Sequence, residues 1–338
     1  MVTELYERIQ EGLEEKQKEI TEFLATAPEA EKKMCLGNDE DCIEKHLQVI
    51  ETNLEKIEDQ TLGICVICHE PVDSELLQMD YTATVCLGHF TDEELRQLEN
   101  ELELSQVVQR ALLPQRVPEI KGIELAAFSR PSEIIGGDYF DFFQFRNGTH
   151  GLVIADVSGH GVSAGMLMSS LQMAIRTMAP ETDSPVEVLE RINRFYIHNI
   201  HFTTFVTVFL ACFDPATLTL SYVNAGHNPP AVRRQSDGTI TWLKPTAPAI
   251  GLAEDFHPRL ESISFAEGDS LLLYTDGVTE VSNISNEEFG QERLGELVQQ
   301  YADRPADLLQ AVRRALSTFG GNQPLVDDVT MVALKVSG

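Results

Sequence analysis

Residues 151–170 read GLVIADVSGHGVSAGMLMSS. The apolar run 152–155 has the character of a buried strand, which delivers one acid, Asp156, and breaks at Ser158-Gly159-His160-Gly161 before a helical pattern over 163–178. A carboxylate at the end of a buried strand is held rigidly, and glycines beside it let backbone approach whatever the acid holds. The combination predicts a metal or phosphate site at a strand end.

The device recurs along the chain. Ile135-Gly136-Gly137-Asp138 places an acid after two glycines, Leu271-Leu272-Leu273-Tyr274-Thr275-Asp276-Gly277 repeats the apolar run ending in Asp-Gly, and Asp327-Asp328-Val329-Thr330 leads into the strand-like MVALKV. Such stations converge only if their strands lie side by side. Gathered carboxylates repel unless cations neutralise them, and all-oxygen ligands suit Mg²⁺ or Mn²⁺. Two such ions about 3.5–4 Å apart activate a water for in-line attack on phosphorus.

Two other hydrolytic chemistries are set aside. Gly161-Val162-Ser163-Ala164-Gly165 fits the nucleophile elbow of serine hydrolases, but an elbow serine follows its strand directly, and here the strand ends near Asp156 with Ser163 in the first turn of a helix. No cysteine is followed six positions later by arginine, which excludes cysteine-dependent phosphatases.

Gly137-Asp138, Ala155-Asp156-Val157-Ser158-Gly159-His160-Gly161, Asn224-Ala225-Gly226-His227-Asn228-Pro229-Pro230, Tyr274-Thr275-Asp276-Gly277 and Asp327-Asp328-Val329-Thr330 resemble, in order and spacing, the motifs of the SpoIIE and RsbU group. These are bacterial metal-dependent serine/threonine phosphatases of the PPM superfamily. The resemblance runs from roughly residue 110 to the C-terminus. It implies an α+β fold, a central β-sandwich flanked by helices, with two Mn²⁺ or Mg²⁺ in a cleft at one edge. It further implies that Asp156 bridges both ions with the Val157 carbonyl assisting one, that Asp276 and Asp327 complete the second site, and that Asp138 holds the first. Asp327 rather than Asp328 is expected as the ligand, because the family uses the first acid of that motif. The implied substrate is a protein phosphoserine or phosphothreonine, on an anti-sigma-factor antagonist of the STAS type in a partner-switching pathway, hydrolysed without a phosphoenzyme, with an activating protein as a further partner. His160 could donate a proton to the leaving oxygen, but a loop-structuring role is expected of it, and a turn-fixing role of His227.

Upstream, residues 3–27 and 41–60 carry apolar stripes at helical spacing, Leu5, Ile9, Leu13, Ile20 and Leu24 facing Ile43, Leu47, Ile50, Leu54 and Ile57, which predict an antiparallel helical hairpin. Cys65-Val66-Ile67-Cys68 and Cys86-Leu87-Gly88-His89 then offer four ligands for one structural tetrahedral Zn²⁺. His69, directly after Cys68, would strain that geometry. The hairpin and knuckle resemble the DksA/TraR zinc-finger family, although His89 replaces the commoner cysteine and the acids Asp39, Glu40 and Asp41 do not match the spacing of that family's polymerase-binding tip. A competing function follows from this module: a non-catalytic transcription regulator binding RNA polymerase or a sigma/anti-sigma partner. Cys35 and Cys42 read as thiols at a helical turn, and Cys212 as a buried core residue.

Residues 91–117 open with the N-cap pattern Thr91-x-x-Glu94 and carry a partial heptad in Leu95, Leu98 and Leu102 before Leu112-Leu113-Pro114. They predict a helix joining a module over 1–90 to a phosphatase domain over 118–338, and a homodimer through that helix. Within the last domain, strands are expected near 123–128, 138–145, 151–156, 205–214, 217–225, 231–234, 270–274 and 329–336, and helices near 163–178, 185–199, 292–300 and 305–317. Acidic residues outnumber basic ones 54 to 25, a net charge of −29 that repels nucleic acid and anionic membrane. No run approaches the length of a membrane span, and the N-terminus reads as an acidic amphipathic helix rather than a signal peptide, so a cytoplasmic protein is expected.

Overall fold

In a computed structural model that describes residues 6, 9, 10, 13, 14, 17, 18, 21, 40–72, 77, 83–159, 161–199, 205–321 and 325–337, the chain divides into the units Met1–Asn100 and Glu101–Gly338. The first contains α1 (Glu40–Glu58) and the start of α2 (Asp92–Leu112). Residues 6 to 21, where described, are helical. Tyr6 Oη donates to the Leu62 carbonyl at 3.0 Å, and Gln17 Nε2 to Glu51 at 3.5 Å, so this segment runs antiparallel to α1. Leu13, Ile50, Leu62 and Leu77 are buried. Cys35 and Asp39 lie outside the described residues, as do the side chains of Glu40, Asp41 and Cys42. The Thr91 pattern forms a reciprocal cap: the Thr91 amide and hydroxyl both donate to Glu94 Oε2 at 2.8 Å, and the Glu94 amide donates back to Thr91 Oγ1 at 3.3 Å.

In the second unit follow β1 (Ile123–Arg130), β2 (Tyr139–Gln144), β3 (His150–Val157), α3 (Gly161–Met178), α4 (Pro185–Asn199), β4 (Val206–Asp214), β5 (Thr219–Ala225), β6 (Ala231–Arg233), β7 (Ile240–Trp242), β8 (Glu261–Ser264), β9 (Ser270–Tyr274), α5 (Gly290–Tyr301), α6 (Pro305–Phe319) and β10 (Val329–Val336). They build two antiparallel sheets, ordered β1-β10-β9-β6-β7 and β2-β3-β4-β5-β8. This is the expected α+β sandwich flanked by helices.

The period-2 alternation of each strand explains why the apolar runs are unbroken. On β3, Val153, Ala155 and Val157 face a core shared with α3 and α4, while Leu152 and Ile154 face the other sheet. On β9, Leu271 and Leu273 enter the core between the sheets, and Leu272 and Tyr274 face α5 and α6. A strand buried on both faces has no polar face to show in its sequence. Strands β7 and β8 fall outside the sequence expectation because each is a short edge strand, half-exposed or more, with no apolar run to mark it. Cys212 corrects another expectation: it is half-buried against the core rather than sealed in it.

A buried ion pair ties α3 to its sheet. Asp141 on β2 is fully buried and accepts from Arg176 Nε and Nη2 at 2.6 and 2.5 Å, and from Tyr139 Oη at 2.8 Å. Arg176→Ala strands that carboxylate. Because the guanidinium is half-exposed and water screens part of the pair, the expected loss is about 2 kcal/mol, read as a lower urea midpoint at unchanged slope.

Candidate metal centre

Antiparallel register alone gathers the first two acids. Tyr139 of β2 lies opposite Ala155 of β3, so Asp138, just before β2, and Asp156, near the end of β3, sit at the same end of their sheet. In the other sheet Met331 of β10 lies opposite Tyr274 of β9, which brings Asp276, just after β9, beside Asp327 and Asp328, just before β10. The sheets stack with these ends together: Thr275 Oγ1 donates to Asp138 Oδ2 at 2.9 Å across them.

Carboxylate oxygens of Asp276, Glu280 and Asp327 lie within 4.8 Å of one another. Asp156 stands outside this trio but feels it. Burial first, then the charges of Asp276, Asp327, Asp328 and Glu280, push its carboxyl up to about 8. Asp138 is buried, and desolvation followed by the charges of Asp156 and Asp328 holds it well above the usual carboxylate range. Burial also raises Asp276, and raises Glu280 with the charge of Asp276 adding to it. The leading charged neighbours of Asp156 are all carboxylates, and such a donor set fits hard divalent cations.

The neighbouring acid Asp328 is occupied differently. It is buried and accepts from the amides of Ser132 at 2.8 Å, Gly137 at 2.7 Å and Asp138 at 3.3 Å, and from Ser132 Oγ at 3.1 Å. It therefore buckles the β10 approach to the loop carrying Asp138. Gly277 is required beside it, since a Cβ there would meet the Asp328 carbonyl at 2.1 Å. Val157 is buried, its carbonyl 3.0 Å from where a Cβ on Gly137 would stand.

Gln109 supports the same loop from the end of α2. Its side chain is buried, donates to the Gly136 carbonyl at 2.6 Å and accepts from the Gly136 amide at 3.1 Å. Sequence reasoning missed it, because a glutamine on a charged helix reads as a solvent-facing residue. Glu280 was also missed, although its i+4 spacing from Asp276 could have flagged it: the Glu280 amide donates to the Asp276 carbonyl at 2.8 Å, one turn that puts both acids on one side.

His160 lies outside the described residues. His227 is buried, its amide donating to Asn224 Oδ1 and its Nδ1 2.8 Å from Thr207 Oγ1. Burial pushes its imidazole down to about 3, so it is neutral. Ser163 sits in the first turn of α3, well past the end of β3, as the rejection of a serine elbow requires.

The family model of "Stage II sporulation protein E (SpoIIE)" matches residues 146–337, more than half of the chain. The chain belongs to the SpoIIE family. It is 28% identical over 242 residues to phosphoserine phosphatase RsbU of Bacillus subtilis, covering 71% of each protein. To phosphoserine phosphatase RsbP of the same organism it is 32% identical over 186 residues, covering 53% of this chain but only 45% of RsbP. Among solved structures, the SiaA-PP2C domain of Pseudomonas aeruginosa superposes with a TM-score of 0.63 at 20% identity, over 71% of this chain and 98% of that one, and shares the fold.

A second group gathers in the first unit: Cys65, Cys68, Cys86 and His89 bring their ligand atoms within 4.8 Å of one another. The Cys68 and Cys86 sulfurs are 3.8 Å apart, and the Cys86 amide points at Cys65 Sγ at 3.4 Å. His69 is not part of it; it takes a positive φ of 60° in the turn that follows Cys68. Three thiols and an imidazole converging at this separation suit a soft tetrahedral ion.

The raised carboxylates have a thermodynamic consequence. Asp156 binds its proton up to about 8 in the fold but only to about 4 when unfolded, so the metal-free fold holds a proton that the unfolded chain releases over that window. Stability without divalent ions is expected to fall as pH rises through this range, to recover on adding Mn²⁺, and to fall less in Asp156→Asn. Melting temperatures at a series of pH values in chelator check it; a pH-independent Tm counts against the crowded cluster.

Proposed function

We propose that this chain is a cytoplasmic, metal-dependent phosphatase that hydrolyses protein phosphoserine or phosphothreonine, and that its substrate is a phosphorylated STAS-type antagonist in a partner-switching pathway. The observation that carries this reading is the convergence of Asp138, Asp156, Asp276 and Asp327 on one end of a two-sheet sandwich in a SpoIIE-family chain. Kinship with two phosphoserine phosphatases adds to it.

In this reading Asp156, with the Val157 carbonyl, and Asp276 and Asp327 hold two Mn²⁺ or Mg²⁺, Asp138 serves the first of them, and Glu280 joins Asp276 and Asp327. When bound, the ions supply a water activated for in-line attack and charge neutralisation at the phosphoryl oxygens. The chain's own residues set up the site. Asp328 spends its oxygens on backbone amides, so it positions Asp138 instead of competing for a cation. Thr275 orients the Asp138 carboxylate. The neutral, buried His227 braces Thr207, whose partner across the β3–β4 ladder is Asp156.

The domain layout belongs to the same proposal: a module over 1–90 stapled by one structural Zn²⁺ on Cys65, Cys68, Cys86 and His89, a connecting helix over 91–117, and the phosphatase domain over 118–338. Because Asp39, Glu40 and Asp41 do not match the spacing of the DksA/TraR polymerase-binding tip, the module is read as signal-receiving or dimerising on a similar scaffold. Leu104, Val107 and Val108 are 64%, 61% and 55% exposed on α2, an apolar stripe suited to pairing two copies. An activating protein acting on α2 would reach the Asp138 loop through Gln109.

The test is phosphate release from a phosphoserine STAS-domain protein and from p-nitrophenyl phosphate, with and without Mn²⁺. Mn²⁺-dependent turnover is expected, falling by at least about a hundredfold in Asp156→Asn and Asp276→Asn. Metal-independent turnover overturns the two-metal reading, and no turnover with any activator favours the non-catalytic regulator. A separate measurement addresses the staple: the purified chain is expected to carry one zinc by elemental analysis, lost in Cys65→Ser together with the cooperative melt of the first unit.

A further inference from the structure

A groove of about 680 Å³ opens beside the acidic cluster, and its charge is opposite to that of the cluster and of the chain. Arg130, Arg313 and Arg314 line it and, among the described residues, no carboxylate does, in a protein of net charge −29. Arg146, Arg176, Arg191, Arg234 and Arg293 each pair with a carboxylate, whereas among the described residues no ion pair reaches Arg130, Arg313 or Arg314. Arg313 is held in place by stacking over Phe128, 4.1 Å from the ring centroid. The remaining lining mixes apolar side chains, Val281, Leu325 and Val326 among them, with the polar Ser282, Gln310 and Thr318, and Val326 is 91% exposed.

The groove also points somewhere. Val281, on one wall, follows Glu280 directly, and Val326 precedes Asp327, so the groove is continuous in sequence with two members of the carboxylate trio. Arg130 lies opposite Val329 in the β1–β10 ladder, two residues from Asp327. Two lining residues of the groove are thus chain neighbours of carboxylates in the acidic cluster.

We propose that the Arg130–Arg313–Arg314 groove docks an acidic peptide segment of the phosphoprotein substrate, the stretch flanking its phosphorylated residue. This rests on the phosphatase reading above and extends it to substrate choice. Guanidinium groups take carboxylates in forked pairs, the apolar side chains of the lining accept aliphatic groups between them, and three guanidiniums gathered in one groove attract an acidic segment that the net negative charge of the chain otherwise repels. An extended polyanion such as nucleic acid would meet that negative field over its whole length.

The experiment measures fluorescence anisotropy of a labelled, unphosphorylated glutamate-rich peptide against the full chain at low ionic strength, beside its counterpart with every Glu replaced by Gln. The acidic peptide is expected to bind at least about tenfold more tightly than the neutral one, to lose that advantage in Arg130→Glu/Arg314→Glu, and to keep part of it in Arg314→Gln, with thermal melts verifying that each variant is folded. Equal binding of the two peptides, or a folded charge-reversal variant that binds like the parent, overturns the proposal. Because the probe carries no phosphate, the result does not depend on turnover; p-nitrophenyl phosphate hydrolysis by the parent chain, run in parallel, tests the phosphatase reading by itself.

Discussion

Mutual repulsion among carboxylates is the constraint on which the second unit is built. Asp138, Asp156, Asp276, Glu280 and Asp327 are drawn to one end of two stacked sheets, where burial and neighbouring charge both disfavour the charged forms of Asp138, Asp156, Asp276 and Glu280. A fold pays for such crowding only when something else relieves it. Asp328 shows one form of relief, its oxygens saturated by the amides of Ser132, Gly137 and Asp138. For the other acids, a divalent cation is the chemistry that would neutralise them together.

The architecture holds these groups by simple means. Antiparallel neighbours bring the start of one strand beside the end of the next, so two ladders present four acids without any long loop being asked to fold back. Three apolar layers, helices on sheet, sheet on sheet and sheet on helices, then fix the strands from both faces. Glycine enters where backbone must pass close, as at Gly277 against the Asp328 carbonyl. Gln109 adds a contact of a different kind, because it comes from α2 and ends on the backbone of the loop that carries Asp138.

The first unit is built on different lines. Where described, it buries a few large side chains, Leu13, Ile50, Leu62 and Leu77 among them, and sets three thiols and one imidazole within bonding reach of a single ion. The reciprocal cap at Thr91 and Glu94 then starts α2 at a defined residue.

Local pattern was enough to determine the strand ends, the acids on them, the cysteine spacing and the start of α2, because each depends on residues adjacent in the chain: an apolar run, a glycine pair, a capping box. The mix of strand runs and helical stretches indicated an α+β class, while the sandwich itself was implied by the resemblance of the ordered motifs to the SpoIIE and RsbU group. What only the tertiary structure decided depends on residues far apart in sequence. Asp327 and Asp328 are indistinguishable as neighbours, and they part company because one reaches the amides of residues 132–138 while the other faces Asp276 and Glu280. Strands β7 and β8 exist because a sheet offers them an edge, not because their own residues demand it. Gln109 is polar and lies on a charged helix, so nothing local separates it from a solvated side chain; its burial against Gly136 is created by packing alone. Charge patterning along the chain likewise hid the groove, for Arg130 and the pair Arg313-Arg314 meet only when β1 and α6 pack together.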